Sequence, residues 1–415
     1  MQKIIADAMQ MVNQIIADNM PTKAVVNALE NHNFTGRVHL IAIGKAAWTM
    51  AKTASDYLGD RLVRGMVVTK YGHTNGPLPR ICMYEAGHPV SDQNTIAATQ
   101  KCIELANSLT GGDELLFLIS GGGSALFEAP LDGIILDEIQ SLNAQLLASG
   151  ANIVEINMIR KRLSAVKAGR FAKLAAPANV FAVVLSDVLG DRLDSIASGP
   201  AVADNSTVED ALRVVEKYNL QLTDLQCDYL LTETPKEITN VKTVITGSVR
   251  TLCEAAANAA RNFGYTPHIL TATMDCEARE AGRLLSSIAA DISSGKSTIS
   301  RPCAVIFGGE TVVTVKGSGK GGRNQELALT AARGISGLEN AVIFSLGSDG
   351  TDGPTDAAGG IVDGTSFAKL KNTGHDYDKI LANNDAYHGL KAIDGLIITG
   401  PTGTNVNDVS VILLG

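Results

Sequence analysis

Residues 38–43 read VHLIAI and run directly into Gly44-Lys45-Ala46, while residues 114–119 read ELLFLI and run into the stretch SGGGSAL at 120–126. Such continuous apolar runs are typical of strands that are buried on both faces of a sheet. Similar runs alternate with helical patterns, such as Ile135–Ala148 and Leu252–Asn262, along the whole chain. This alternation predicts an α/β protein with a largely parallel sheet covered by helices. The predicted strands are Val38–Ile43, Gly65–Thr69, Glu114–Ile119, Val180–Leu185, Thr243–Thr246, His268–Thr271, Ala304–Phe307, Thr311–Val315, Ala341–Ser345 and Gly395–Thr399.

The length of 415 residues predicts two domains, each with its own core. The composition, 45% hydrophobic but only 4% aromatic with 41 glycines, is typical of α/β layers joined by tight turns. The polar stretch TETPKEITN at 232–240 interrupts the apolar rhythm, since Pro235 and its charged neighbours disfavour a regular element. We therefore predict domains at residues 1–235 and 236–415.

The charge and the cysteines exclude several classes of protein. A net charge of −8 makes non-specific binding of nucleic acid unexpected. The six cysteines are scattered without a CxxC pair, which predicts buried thiols in a reducing compartment. The first 20 residues lack the pattern of a signal peptide, and no apolar run reaches the ~20 residues of a membrane span. We expect a cytoplasmic protein without a membrane partner.

Two loops that follow predicted strands are suited to anions. Lys45 stands where a strand enters a helix, so its ammonium can point at a bound anion, although a solvated surface lysine gives the same pattern. The consecutive glycines Gly121, Gly122 and Gly123 let backbone N–H groups approach phosphate oxygens closely. The spacing does not match the P-loop pattern GxxxxGK[ST], and a flexible turn stays the alternative.

Two carboxylates follow the predicted strand Val180–Leu185. Asp187 and Asp191 in the stretch SDVLGD are four residues apart, which suits Mg²⁺, because this ion takes one or two carboxylates plus substrate phosphates and water. Capping of the next turn or helix by one of these side chains is the alternative.

A glycine-rich stretch from Lys316 to Glu326 contains the literal pattern GxGxxG at 317–322. Gly308-Gly309-Glu310 before it predicts a hairpin turn between two strands, which disfavours a dinucleotide fold. Lys316, Lys320 and Arg323 around the glycines favour a polyphosphate instead. A planar guanidinium at the start of a helix suits a phosphoryl group or a carboxylate.

Three aspartates, Asp349, Asp352 and Asp356, lie between glycines and threonines at 348–360, as in a loop around a hydrated cation. An EF-hand is excluded, since no Glu stands at the twelfth position, while a series of Asx turns stays open. The histidines form no zinc pattern, and no GxSxG elbow is present. His73 and His88 lie in polar loops and are candidates for substrate contact.

These motifs together resemble one family. GKA at Gly44, SGGGSAL at Ser120, SDVLGD at Ser186 and SGP at Ser198 resemble the N-terminal domain of the class II glycerate 2-kinases. FGGET at Phe307, GKGGRNQE at Gly319, GSDGTDGPTDAAGG at Gly347 and GPTGTNVND at Gly400 are similar to the C-terminal MOFRL domain of that family, at about residues 302–410.

The resemblance implies a Rossmann-like N-terminal domain, a smaller α/β MOFRL domain and an active site in the cleft between domains. It implies ATP- and Mg²⁺-dependent phosphorylation of D-glycerate to 2-phosphoglycerate. A homodimer is an open expectation. Two alternatives remain, an NAD(P)H-dependent hydroxypyruvate reductase, a label that some family members carry, and a non-catalytic sensor of a nucleotide or sugar acid.

We assign site residues as hypotheses. Lys45 and Arg323 are expected to neutralise the transferring phosphoryl group or the glycerate carboxylate, and Asp187 to bind Mg²⁺ or accept the hydroxyl proton. Asp191 and Asp349 are further candidates for the metal. The expected substrate and nucleotide contacts are Gly44, Ser120, Gly121, Gly122, Gly123, Ser124, Glu310, Lys320, Gly321, Asn324 and Asn405.

Overall fold

The computed structural model describes residues 2–186 and 193–415 of the chain. It divides the chain into two compact units. The inserted unit is the continuous segment Pro21–Thr246, and the split unit combines Met1–Met20 with Gly247–Gly415. The split unit therefore begins with helix α1 (Gln2–Asp18) and resumes after the inserted unit.

The inserted unit carries the first sheet and the helices that follow its strands. Its helices are α2 (Pro21–Glu30), α3 (Ala47–Leu58), α4 (Gln93–Asn107), α5 (Gly123–Leu126), α6 (Leu136–Ala148), α7 (Ile153–Arg162), α8 (Arg170–Leu174), α9 (Val208–Tyr218) and α10 (Asp224–Leu230). Its strands are β1 (Arg37–Ile43), β2 (Leu62–Lys70), β3 (Ile81–Ala86), β4 (Asp113–Ile119), β5 (Asn179–Leu185) and β6 (Val241–Gly247).

The first sheet has six strands in the order β3-β2-β1-β4-β5-β6. The pairs β1–β2, β2–β3, β1–β4 and β4–β5 are all parallel. This is the strand order of a Rossmann sheet, in which the chain reverses direction across the sheet between β1 and β4. The predicted strands Val38–Ile43 and Glu114–Ile119, which correspond to β1 and β4, therefore flank the switch point, where open α/β sheets bind their ligands.

The apolar runs of the sequence form the central, buried strands of this unit. Every residue of β4 is buried, as are six of the seven residues of β1 and of β5. Burial on both faces is what a parallel sheet between two helical layers requires. The confirmed fold is therefore the one that the alternation of apolar runs and helices predicts.

The split unit carries a second, mixed sheet. Its further helices are α11 (Val249–Asn262), α12 (Ala278–Ser293), α13 (Arg323–Gly334), α14 (Ser366–Asn372), α15 (Tyr377–Ala382) and α16 (Ala386–Lys391). Its strands are β7 (Thr266–Met274), β8 (Cys303–Gly309), β9 (Ala341–Gly347), β10 (Gly359–Asp363), β11 (Leu396–Ile397) and β12 (Asp408–Leu414).

The second sheet has the order β11-β10-β9-β12-β8-β7. Only β7 and β8 are parallel among its described pairs, because β12 runs antiparallel to β8 and β9, and β10 runs antiparallel to β9 and β11. The expectation of a largely parallel sheet therefore does not extend to this unit. Antiparallel β12 brings its first residue, Asp408, opposite Gly309 and Gly347, the last residues of its neighbours.

The observed units differ from the predicted domains, because helix α1 belongs to the split unit and not to the N-terminal one. Its buried residues Ile4, Ala8, Met11, Val12 and Ile15 form one stripe at helical spacing, and the helix packs against α11. The polar stretch at 232–240 is a loop that leads into β6, which still pairs with β5 of the first sheet. The division observed in the structure thus lies at residues 20 and 246, not at residue 235.

The predicted hairpin around Gly308-Gly309-Glu310 is wrong. Gly308 and Gly309 end β8, and residues 311–315 form no strand apart from an isolated bridge between Val312 and Glu277. Val312 and Val315 are 50% and 74% exposed, so their β-branched side chains have no sheet face to pack on. The predicted strand at 395–399 shrinks to β11, and the sequence reasoning missed β3, β10 and β12.

Within the described residues, no helix combines the length and the apolar character that crossing a bilayer requires.

Candidate functional site

The loops after β1 and β4 are joined at the switch point of the first sheet. The backbone N–H of Lys45 donates to the carbonyl of Gly121 at 2.9 Å, and the N–H of Ala46 donates to Ser120 Oγ at 3.1 Å. The Ser120 hydroxyl in turn donates to the carbonyl of Ile43 at 3.0 Å. A residue larger than glycine is excluded at Gly44, since a Cβ there would collide with the backbone and hydroxyl of Ser120 and its φ is 106°.

The predicted anion loop keeps backbone donors available. Gly122 has a left-handed conformation with φ 82°, and the N–H groups of Gly121 and Gly122 donate to no other residue of the described chain. Lys45 is half-buried and forms no ion pair with the part of the chain that the structure describes. The switch point therefore offers an uncompensated ammonium beside unused amide donors, which is an environment for an anion.

A buried network below this loop holds Ser124. Arg160 Nη2 and Lys167 Nζ donate to the carbonyl of Ser124 at 2.8 and 3.0 Å, and Lys167 also forms an ion pair with Glu128 at 3.2 Å. Lys167 and Glu128 are 0% and 1% exposed, and burial lowers the pKa of Lys167 to about 8. The Ser124 hydroxyl lies 3.2 Å from the hydroxyl of Ser198.

None of the basic residues at 160–170 was predicted to belong to the site, because no recognised motif contains them. The pattern RKRLSAVKAGR places five cations in eleven positions, and the burial of Lys161, Arg162 and Lys167 in the structure reveals their structural role. Asp187 and Asp191, the predicted metal ligands, lie outside the described residues.

Several residues predicted for the site lie where strands of the second sheet begin or end. Arg323, at the start of α13, donates from Nε to Asp408 Oδ2 at 2.5 Å, from Nη2 to Asp408 Oδ1 at 3.0 Å and from Nη1 to Glu310 Oε1 at 2.8 Å. Glu310 follows β8 and Asp408 begins β12. Because β12 is antiparallel to β8, the start of β12 lies beside the end of β8, and both carboxylates reach the guanidinium of Arg323.

The ion pair of Arg323 and Asp408 is largely buried. The Asp408 side chain is 7% exposed and that of Arg323 is 34% exposed. Burial raises the pKa of Asp408 to about 6 against the opposing effect of Arg323, while bonding to Asp408 raises the pKa of Arg323, despite its burial. The pair is therefore ionised at neutral pH, and its bidentate geometry fixes the plane of the guanidinium.

An internal carboxylate already caps helix α13. Asp352 accepts hydrogen bonds from the backbone N–H groups of Asn324 and Gln325 at 3.1 and 2.8 Å. The Asn324 side chain is buried between Asp352 and Ser345. Burial raises the pKa of Asp352. Since Asp352 takes the place that a phosphate would occupy at this helix terminus, Asn324 is engaged internally.

The glycine-rich stretch before α13 packs on its own unit. A Cβ at Gly317 or Gly319 would collide with the backbone of Asn383 and Asp385, and one at Gly322 would collide with Asp352. The backbone N–H of Lys320 donates to Asp385 Oδ1 at 2.8 Å, while its side chain is exposed. These glycines therefore serve close packing within the chain. Gly321 is half-buried and approaches Ala386.

Asp349 and Asn405 lie on neighbouring loops of the same sheet. The N–H of Thr402 donates to the carbonyl of Asp349 at 3.2 Å, and the N–H of Val406 donates to Ser348 Oγ at 2.8 Å. Asn405 is half-buried and lies between Thr402 and Val406 in the sequence. The structure thus joins Glu310 to Arg323 and places Asp349 near Asp408, since a Cβ built at Gly347 would lie 3.4 Å from Asp408 Oδ1 and 3.5 Å from Asp349 Oδ1. Asn405 stays a prediction.

The described residues form no binding site that could hold a metal ion by protein ligands alone. Among residues 2–186 and 193–415, no three His, Cys, Asp or Glu side chains are grouped so that they could hold an ion. Asp349 Oδ1 accepts from the N–H and the hydroxyl of Thr351 at 2.9 and 3.0 Å, as in an Asx turn. Because Mg²⁺ needs only one or two carboxylates when phosphates supply the rest, this donor set fits an ion carried by a nucleotide.

Comparison with known proteins identifies the family. A domain of unknown function, DUF4147, matches residues 7–229, and the MOFRL family matches residues 303–408. The chain is 53% identical to the D-glycerate 2-kinase of Thermotoga maritima, over 98% of this chain and 97% of that protein. The chain belongs to the glycerate 2-kinase family. This confirms the resemblance carried by the motifs from Gly44 to Asp408.

A solved structure of the glycerate 2-kinase family supports the fold, and another relative carries a different name. The crystal structure of a glycerate kinase from Thermotoga maritima is similar with a TM-score of 0.97 and 52% identity, and the match covers 100% of both chains. A relative from Agrobacterium vitis, 41% identical over 92% of this chain and 100% of its own, carries the name hydroxypyruvate reductase provisionally.

Proposed function

We propose that this chain is a glycerate 2-kinase that transfers the γ-phosphoryl group of ATP to the 2-hydroxyl of D-glycerate. The observation that carries the proposal is the 53% identity, over nearly the full length of both chains, to a protein named D-glycerate 2-kinase. The switch point of the first sheet supports it, because Lys45 and the amides of Gly121 and Gly122 form an environment for anions.

The reaction needs positive charge around a transferring phosphoryl group and little covalent chemistry from the protein. Lys45 lies beside the unused amides and has no carboxylate partner among the described residues, so we assign it to the phosphoryl group or the substrate carboxylate. Arg323 uses three of the five N–H groups of a guanidinium on Asp408 and Glu310. The remaining two are fixed in direction by those bonds and are assigned to the same anionic groups.

We propose that Mg²⁺ enters with ATP, with Asp349 as a described carboxylate that could contribute to its shell and with Asp187 and Asp191 as further candidates. When bound, the ion supplies charge neutralisation at the phosphates. The contacts proposed for Ser120, Gly123, Ser124, Lys320, Gly321, Asn324 and Asn405 remain proposals. Because Asn324 is engaged by Asp352 and Ser345, we assign it a role in fixing the start of α13.

The glycine geometry disfavours a reductase. In a dinucleotide fingerprint the glycines make room for the pyrophosphate, whereas Gly317, Gly319 and Gly322 make room for other residues of this chain. No equivalent pattern follows β1, where Gly44-Lys45-Ala46 stands.

The test compares two reactions of the purified full chain. With D-glycerate, ATP and Mg²⁺, release of ADP and formation of a product that enolase dehydrates directly are expected, because enolase acts on 2-phosphoglycerate and not on the 3-isomer. With hydroxypyruvate and NADH or NADPH, no oxidation of the cofactor is expected. Cofactor oxidation without ADP formation would reverse the proposal, and glycerate binding without either reaction would favour the sensor.

We also propose a cytoplasmic location and keep the homodimer as a prediction. All six cysteines are free thiols, which supports a reducing compartment, but Cys82, Cys227 and Cys276 are exposed and not buried as predicted. Size-exclusion chromatography with light scattering tests the oligomeric state.

A further inference from the structure

His88 reaches the switch point from the far edge of the first sheet. It lies two residues beyond β3, which is separated from β4 by β2 and β1. The chain nevertheless returns across the strand ends, so that a Cβ built at Gly122 would lie 3.0 Å from His88 Cδ2 and Nε2 and 3.3 Å from Lys45 Cγ. The imidazole, the stem of Lys45 and the glycine loop after β4 are therefore in contact around one point.

The imidazole of His88 is half-buried and forms no hydrogen bond or ion pair with the described residues, so neither ring nitrogen has a partner there. The residues around it do not require a histidine for their own hydrogen bonds. Its polar atoms are thus available to a ligand at the position where the amides of Gly121 and Gly122 and the ammonium of Lys45 are also available.

The charges that face His88 come from three elements. They are Lys45 after β1, Lys70 at the end of β2, and His73 in the loop after β2. Burial together with these groups lowers the pKa of His88 to about 4, so the ring is neutral in the free protein. No carboxylate within the described ranges shifts it in the opposite direction.

A neutral imidazole among cations complements one kind of substrate group. The carboxylate and the phosphoryl oxygens of the reaction need donors and positive charge, which Lys45 and the backbone amides supply. The reacting hydroxyl instead needs an acceptor for its hydrogen, and an imidazole lone pair is such an acceptor. His88 can supply it without adding negative charge, and it is half-buried against the glycine loop, whereas the neighbouring His73 is exposed.

We propose that His88 contacts the 2-hydroxyl of glycerate and accepts its proton as the hydroxyl oxygen attacks the γ-phosphorus of ATP. This inference rests on the proposed function. A bond forms between the substrate oxygen and phosphorus, the bond from phosphorus to the β–γ bridging oxygen breaks, and ADP leaves with that electron pair. The proton moves from the hydroxyl to a His88 ring nitrogen and afterwards to solvent.

Substrate binding would prepare the ring for this step. The anionic groups of ATP and glycerate offset the charge of Lys45 and Lys70, so the pKa of His88 rises from its low value when both substrates are bound. The proton acceptor therefore becomes a stronger base only in the complex. Because activity requires the neutral ring, kcat should fall as the pH decreases through the pKa of His88 in the complex.

The experiment compares His88→Ala and His88→Gln with the unaltered chain and with Val90→Ala, which changes a 59% exposed side chain in the same loop. We expect kcat to fall about 10²-fold or more in both His88 variants, with less than a threefold change in the KM for glycerate. The acid limb of the kcat profile should disappear in His88→Gln, and added imidazole should restore part of the kcat of His88→Ala in a saturable manner.

Several results would overturn the inference. A kcat within twofold of the unaltered chain in either His88 variant, or full recovery in His88→Gln, would reduce His88 to packing or hydrogen bonding. If His88→Ala fails to fold by circular dichroism, the His88→Gln kcat and its pH profile decide alone. An unaltered chain that fails to phosphorylate glycerate would refute the proposed function itself, which is a different outcome from an active chain insensitive to His88.

Discussion

The two sheets hold their principal cations under opposite electrostatic conditions. At the first sheet, Lys45 has no carboxylate partner among the described residues, and unused backbone amides surround it. At the second sheet, Arg323 is bound by Asp408 and Glu310, so the three side chains together carry a net negative charge. An unpaired ammonium is stabilised strongly by the negative charge of a ligand. A guanidinium that is already paired is stabilised less, but its N–H groups point in a fixed direction. We therefore expect the first sheet to supply affinity for the anion and the second sheet to supply orientation.

The largest effect is expected from removing the unpaired cation. Lys45→Ala should lower kcat/KM for glycerate phosphorylation about 10³-fold, equal to about 4 kcal/mol of transition-state stabilisation. Steady-state kinetics measures this, with Lys52→Ala as the control, since Lys52 is an exposed residue of α3 paired with Asp56. If Lys45→Ala retains a tenth of the activity, the switch point does not supply the dominant charge.

A smaller loss is expected when the direction of Arg323 is lost but its charge is kept. Arg323→Lys should lower kcat about 10²-fold, about 3 kcal/mol, because a point charge cannot reproduce the bidentate fork. The control is Arg333→Lys on the same helix, whose exposed pair with Asp378 contributes little. A near-normal kcat in Arg323→Lys would show that orientation is unimportant, and the contrast between the sheets would fail.

The third test separates backbone strain from contact at the switch point. Gly122→Ala should destabilise the protein by about 1–2 kcal/mol, because φ is 82°, and should lower kcat about tenfold by displacing His88 and Lys45. Gly150→Ala is a matched control, since φ is 75° there and nothing lies within 4 Å of the added Cβ. Equal losses of activity in both variants would mean that strain alone is responsible.

The last test concerns the pH dependence of stability and not the activity. The pKa of Asp408 is about 6 in the folded chain and near 3.9 when unfolded, so the folded state binds more protons between these values. The contribution of Asp408 to stability therefore decreases as pH rises from 4 to 6, by at most about 3 kcal/mol. Thermal melting from pH 4 to 7 should show a flatter profile for Asp408→Asn. Parallel profiles would contradict the raised pKa.

The fold of the inserted unit could be predicted because its strands are buried on both faces. VHLIAI and ELLFLI are apolar except for His39 and Glu114, whose side chains are buried too, and such runs are stable only inside a sheet. The direction of strands in the second sheet could not be read in the same way. VSVILL at 409–414 has the composition of a parallel strand, but β12 is antiparallel to both neighbours.

The candidate site was predictable where the signal is local. Gly44, Lys45 and Ser120 follow apolar runs directly, and the structure joins their loops by hydrogen bonds. The role of Asp352 as a cap and of Asp408 as the partner of Arg323 depends on contacts between residues 28 and 85 positions apart. His88 stood out only as a loop histidine, because its reach across two strands depends on the fold.

The discontinuous split unit has a consequence for synthesis on the ribosome. Helix α1 is made first, yet the helix that it packs against, α11, follows more than 200 residues later. Strand β12, in the interior of the second sheet, emerges after all the other strands described. The inserted unit can thus complete its sheet while nascent α1 still exposes Ile4, Met11 and Ile15. A chaperone that shields apolar helices would be needed longest at that end of the chain.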